Sequence, residues 1–138
     1  MRLRTIILVG LAMAGVYALT AARNHTEAED AFDFAWKVGH ARGAELLHPH
    51  HLAYLPAMRT LCAAASALAG RPVRAHPVLA AAGAACAAGT VVLFALLLGG
   101  PLGAGRGRAW AAAAGLAFSY CFCSDAAAAE IYTPMLLF

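Results

Sequence analysis

Residues 77–98 read PVLAAAGAACAAGTVVLFALLL, an unbroken run with no charged side chain. As a helix rising 1.5 Å per residue, this stretch reaches about 33 Å, enough for the ~30 Å hydrocarbon core of a bilayer. The reading is a membrane-spanning helix. Residues 5–22, TIILVGLAMAGVYALTAA, form a second uncharged run that reaches about 27 Å by the same arithmetic. Arg2 and Arg4 precede it and favour a cytoplasmic N-terminus. A cleaved signal peptide is the rival reading, with weak small-residue patterns at Ala18-Leu19-Thr20 and Thr20-Ala21-Ala22. The length of the run and the apolar segments after it favour an uncleaved span. The whole chain fits this picture. Of 138 residues, 62% are hydrophobic and 12% charged, too few charges to cover a water-soluble surface. A soluble enzyme and a disordered tail are excluded. The net charge of +3, spread along the chain, gives no basis for nucleic-acid binding.

The chain after the first span changes character. Residues 23–51 hold five of the seven acids and His25, His40, His48, His50 and His51. Thr26-Glu27-Ala28-Glu29 has the spacing of a capping box. Ala28, Ala31, Phe32, Ala35 and Trp36 then follow the i, i+3, i+4, i+7, i+8 rule, with Asp30, Asp33 and Lys37 facing elsewhere. This spacing predicts an amphipathic helix over about 27–39, lying at the membrane surface. Residues 52–70, LAYLPAMRTLCAAASALAG, are apolar but interrupted by Pro56 and Arg59. An arginine inside a span costs roughly 2.5–3.5 kcal/mol, so this segment reads as a second surface helix, with a crossing as the alternative. Gly99 to Arg108 reads as a short turn, residues 109–125 as a third span, and 133–138 as the start of another.

The predicted fold is all-α: a multi-span helical membrane protein, with amphipathic interfacial helices in a first outer loop over 23–76. In this topology all seven acids lie outside, and Arg2, Arg4, Arg106 and Arg108 lie inside. Ala and Gly faces at 81–89 and 111–117 suit close helix packing. Cys62, Cys86, Cys121 and Cys123 lie in apolar surroundings without a zinc or redox spacing and read as buried thiols.

Three groups can carry chemistry. Glu29 and Asp30 follow the first span, and a carboxylate there can serve as a general base. Glu29 closes the capping box, whereas Asp30 has no such duty; Asp33 reads as a solvated face. His48-Pro49-His50-His51 gathers three imidazoles, but Pro49 extends the backbone and adjacent ligands rarely close a tetrahedron alone. A polar turn meeting phosphate or substrate is the better reading, and no metal ligand is assigned. Glu130-Ile131-Tyr132 returns an acid to the same outer side.

In this order the motifs resemble the N-terminal part of the GT-C superfamily of integral membrane glycosyltransferases. The similarity is to protein-mannosyltransferase-like bacterial members. Glu29-Asp30 with Phe32 and Phe34 resembles their first-loop acidic motif. His48-Pro49-His50-His51-Leu52-Ala53-Tyr54 resembles their His-Pro element, and Ala129-Glu130-Ile131-Tyr132 their second acidic motif. The resemblance implies a multi-pass protein of the cell membrane, bacterial inner membrane, transferring a sugar from a polyprenyl-phosphate donor on the outer face. It implies Asp30 as catalytic base with Glu29 beside it. His48, His50, His51, Tyr54, Glu130 and Tyr132 would line the substrate cavity. It leaves the cofactor open, since some relatives use a divalent metal and others none, and it leaves the oligomeric state unknown. Such enzymes have about ten or more spans, so the chain reads as an N-terminal fragment. The alternative is a small non-enzymatic membrane protein, an assembly partner or a His-rich metal-handling subunit.

Overall fold

The computed structural model describes residues 3–21, 29–47 and 53–127. Every α-helix or 3₁₀ element there is helical, with no strand among the described residues. The order is α1 (Leu3–Ala21), α2 (Glu29–His40), a 3₁₀ turn (Gly43–Leu46), α3 (Tyr54–Ala69), α4 (Ala75–Gly99), α5 (Arg106–Ala117) and α6 (Tyr120–Ala127). The capping box over 26–29 and the start of a further span at 133–138 lie outside the described residues, save for Glu29 at the start of α2.

The long helix α4 organises the rest. Arg74 precedes it in extended conformation, and Pro77 falls in its first turn, where a missing N–H costs nothing. Small residues line its buried face: Gly83, Ala84, Ala87 and Ala88, followed by Val91 and Ala95. Against them α5 presents Ala109, Ala113 and Ala117, all essentially without exposure and spaced one helical turn apart. Side chains this small let backbones approach closely. The turn between these helices needs glycine, because a Cβ on Gly100 would stand 2.9 Å from the Leu96 carbonyl oxygen. A Cβ on Gly10 of α1 would meet Val92, and the Tyr17 hydroxyl reaches Ala117. So α1 and α5 each pack on α4 in the opposite sense to it, and α1 also meets α6. Arg4, Arg106 and Arg108 therefore share one end of the assembly.

At the other end a second cluster, Phe34, Val38, Leu55 and Leu79, joins α2 and α3 to the start of α4. Pro56, expected to interrupt 52–70, sits in the first turn of α3 and breaks nothing. Gly70 ends α3 in the left-handed conformation, φ 63°; its N–H bonds to Ala67 and that of Arg71 to Ser66, closing the last turn. Arg59 explains itself here as well. Its guanidinium donates to the carbonyl oxygen of Ala41, which closes α2 and is almost fully buried. Terminal helix carbonyls lack partners within the helix, and a cation favours that end of the dipole. Arg59→Met keeps the stem and removes the donors, so we expect a loss of roughly 1–3 kcal/mol, read by thermal unfolding in detergent.

Three expectations change. The apolar stripe expected on α2 runs through Ala28, Ala31, Phe32, Ala35 and Trp36, but among the described side chains the buried row is Phe34, Val38 and Ala41, with Ala35 packed against it and Trp36 58% exposed. Phe34 and Val38 win because α3 and α4 cover that face. The turn expected over 99–108 is shorter: α4 runs through Gly99 and α5 begins at Arg106. The span expected over 109–125 is two helices, α5 and α6, separated at Phe118 and Ser119. Phe118 leaves helical geometry (φ −103°, ψ 7°), and the Ser119 N–H and hydroxyl both donate to the Leu116 carbonyl, closing the turn.

Among the described residues one helix, α4, is long and apolar enough to cross a membrane; Arg4–Thr20 is a shorter apolar helix. Only 33% of the most apolar window of α4 is buried, unlike the core helix of a soluble domain. Ile7, Leu8, Leu11 and Leu19 on α1 and Leu93, Leu96 and Leu97 on α4 are exposed as well. An apolar surface of this kind points to a membrane location.

Candidate functional site

The end of the molecule carrying α2 and α3 holds most of the described polar side chains. Glu29 and Asp30 form the first two residues of α2. Asp30 stands one turn before Phe34 in sequence. Glu29 stands one turn before Asp33 in sequence. Asp33 itself pairs with Lys37 at 2.5 Å on that outer face. Tyr54 opens α3, and its ring packs edge-on against Phe34, centroids 5.8 Å apart. The Tyr54 ring thus serves the α2–α3 contact. His48, His50, His51, Glu130 and Tyr132 lie outside the described residues.

The structure adds a group that sequence reading missed. Trp36 and His40 lie one turn apart on α2 and stack, ring centroids 5.3 Å apart and 20° from parallel. His40 Nδ1 lies 3.0 Å from the Trp36 carbonyl oxygen. A carbonyl only accepts, so Nδ1 carries the proton and Nε2 is the ring atom left for a ligand. Across from them stand Val73, Arg74, Ala75 and His76, at the start of α4, and the two sides enclose an open cleft. The available signal was the Trp36/His40 spacing together with Arg74-Ala75-His76-Pro77 at a helix start. The assignment of Trp36 to the apolar stripe hid it.

No protein family, curated protein or solved structure matches the chain. The chemistry of the site thus rests on its own residues.

Among the described residues no three His, Cys, Asp or Glu side chains gather as a metal site. Cys62, Cys86 and Cys123 are free and half-buried. Burial pushes the Cys62 thiol up, away from the nucleophilic thiolate. What the described groups can do is narrower: present the Arg74 cation, offer the His40 Nε2 lone pair as an acceptor, and stack a flat or apolar group on Trp36.

Proposed function

We propose that the chain is a multi-span membrane protein of the glycosyltransferase kind, working on the outer face of the membrane with a polyprenyl-phosphate sugar donor. What supports this reading is the position of Asp30 in the first turn of α2, four residues before Phe34, with Glu29 four residues before Asp33. In the reaction the acceptor hydroxyl oxygen forms a bond to the anomeric carbon and its proton passes to the Asp30 carboxylate. The bond from that carbon to the phosphate oxygen breaks, and the lipid phosphate leaves with the electron pair. Glu29, Tyr54, Glu130, Tyr132 and the histidines at 48, 50 and 51 would border the same space. The test is transfer of labelled sugar from a polyprenyl-phosphate donor in membranes carrying the chain. A non-enzymatic membrane protein predicts no donor-dependent transfer.

The multi-span topology has α1, α4 and the α5–α6 pair crossing, with the N-terminus cytoplasmic and α2 and α3 at the outer surface. Support comes from the clustering of Arg4, Arg106 and Arg108 at one end and of the acids of α2 at the other. In a cysteine-free variant, a single cysteine at position 104 should react with a membrane-impermeant thiol reagent only from the cytoplasmic side. Labelling from the outside alone would reverse the topology.

A further inference from the structure

The helix α3 carries one charge, and that charge turns inward. By its insertion cost Arg59 argues for placing 52–70 on the membrane surface, yet its guanidinium donates to the Ala41 carbonyl at the end of α2. Ionisable side chains within a bilayer face the protein interior and pair in this way, backbone carbonyls included. The other polar groups of α3 are likewise engaged within the chain. The Thr60 hydroxyl donates to the Pro56 carbonyl at 3.0 Å, and Ser66 Oγ accepts the Val73 N–H at 3.1 Å. Tyr54 packs on Phe34, and Cys62 lies against the buried cluster of α2, α3 and α4. What remains for the outward face is Ala57, Leu61, Ala64 and Leu68, spaced i, i+4, i+7, i+11. All four are exposed, Leu68 91% so. From Thr60 to Gly70 there is no charged residue. The neighbouring α2 is built the other way: its outer face carries Asp33 and Lys37, paired at 2.5 Å.

We infer that the outward row of α3 lies against lipid acyl chains of the outer leaflet, so that α3 is immersed where α2 stays at the headgroups. A helix that is apolar all round belongs in non-polar surroundings. Hydrocarbon admits it because its polar groups find partners inside the protein. A protein partner would need hydrogen-bonding groups and aromatic or arginine anchors at its interface, and this row offers none. The row instead continues the chemistry of the exposed leucines on α1 and α4. The placement of α3 sets its depth. Leu55 in its first turn shares a buried cluster with Leu79 in the second turn of α4, and residues 70–74 lead its other end back to Ala75. It therefore lies across the start of α4 and does not run down its length. Arg71 and Arg74, both exposed, follow Gly70, and their long stems let the charges reach the headgroups. The inference rests on the membrane reading and on the outer placement of α2 and α3; it is independent of sugar transfer.

The test attaches one nitroxide at Leu61→Cys, Ala64→Cys or Leu68→Cys in an otherwise cysteine-free full chain, held in phosphatidylcholine vesicles. Leu93→Cys on α4 and Asp33→Cys on α2 are the references. Power saturation reads collision with oxygen, which concentrates in hydrocarbon, and with a water-soluble nickel chelate. The oxygen-to-nickel ratio at 61, 64 and 68 should match that at 93 and exceed that at 33 several-fold. A ratio at 61 and 68 as low as at 33 puts the row in water and overturns the inference. Low collision with both reagents means that another segment or a second copy covers the row, and overturns it as well. A high ratio at 93 in either case leaves the membrane reading standing, whereas a low ratio at 93 removes that reading and the inference together. Should the cysteine-free chain lose its helical circular dichroism, the unaltered chain is irradiated in vesicles of a phosphatidylcholine bearing an acyl-chain diazirine. Adducts on residues 57–68 as well as on α4 support the inference, and adducts on α1 and α4 without α3 overturn it. None of these readouts involves a sugar donor, so the transferase reading fails or stands separately.

Discussion

Asp30→Asn is expected to lower sugar transfer by about 100- to 10,000-fold, the usual worth of a general base, while the chain remains inserted and helical. Asparagine keeps the size and most of the hydrogen bonding of the side chain but cannot take up the acceptor's proton. The neighbouring acids make the test specific. Asp33→Asn removes an exposed i, i+4 pair with Lys37, worth only about 0.3–0.5 kcal/mol, and should be nearly silent. Glu29→Gln should fall between them, since Gln also suits the third position of the capping box that the sequence predicts at Thr26. Transfer from a polyprenyl-phosphate sugar in membranes, with circular dichroism as the folding control, measures the order. Near-normal transfer in Asp30→Asn with loss in Asp33→Asn would show that the wrong row of α2 had been assigned to the chemistry. If none of the three mattered in a chain shown to be active, the transferase assignment of this loop would fall.

That row also shows how far the sequence could be read. The apolar run at 77–98 is legible because a span depends on composition and length, which are local quantities. It reappears as the centre of α4. The helix over 27–39 is legible for the same reason, but its buried face is not. Phe32, Phe34, Trp36 and Val38 offer two plausible stripes, and the choice belongs to α3 and α4, which cover Phe34 and Val38. Arg59 was visible as an anomaly in an apolar segment. Its partner, the Ala41 carbonyl eighteen positions earlier, could not be seen, because it exists only once α2 ends beside α3. The cleft around Arg74 escaped for a similar reason: Trp36 and His76 are 40 residues apart and meet only through the packing of α2 on α4. The Ala and Gly faces at 81–89 and 111–117 were legible, since only small residues permit the approach seen between Ala84, Ala87, Ala113 and Ala117.

Tyr17→Ala is expected to cost about 3–5 kcal/mol of stability, the range for emptying a fully buried aromatic site. Tyr17 has no exposure, stands edge-on to Phe122 with centroids 6.2 Å apart, and donates its hydroxyl to the Ala117 carbonyl at 3.0 Å. That carbonyl belongs to the last residue of α5, where the chain breaks before α6, so the hydroxyl meets an acceptor the helix does not continue past. One side chain of α1 thereby holds both halves of the broken segment. Tyr17→Phe separates the contributions: it keeps the ring and should cost only roughly 1–2 kcal/mol for the lost hydrogen bond. Phe122→Leu should couple to Tyr17→Ala by about 0.5–1.5 kcal/mol in a double-mutant cycle, through the edge-to-face pair. Unfolding in mixed detergent, followed by the helical signal, measures all three. A Tyr17→Ala chain as stable as the unaltered one would mean that α5 and α6 do not depend on α1, and the break at Phe118 would then need another support.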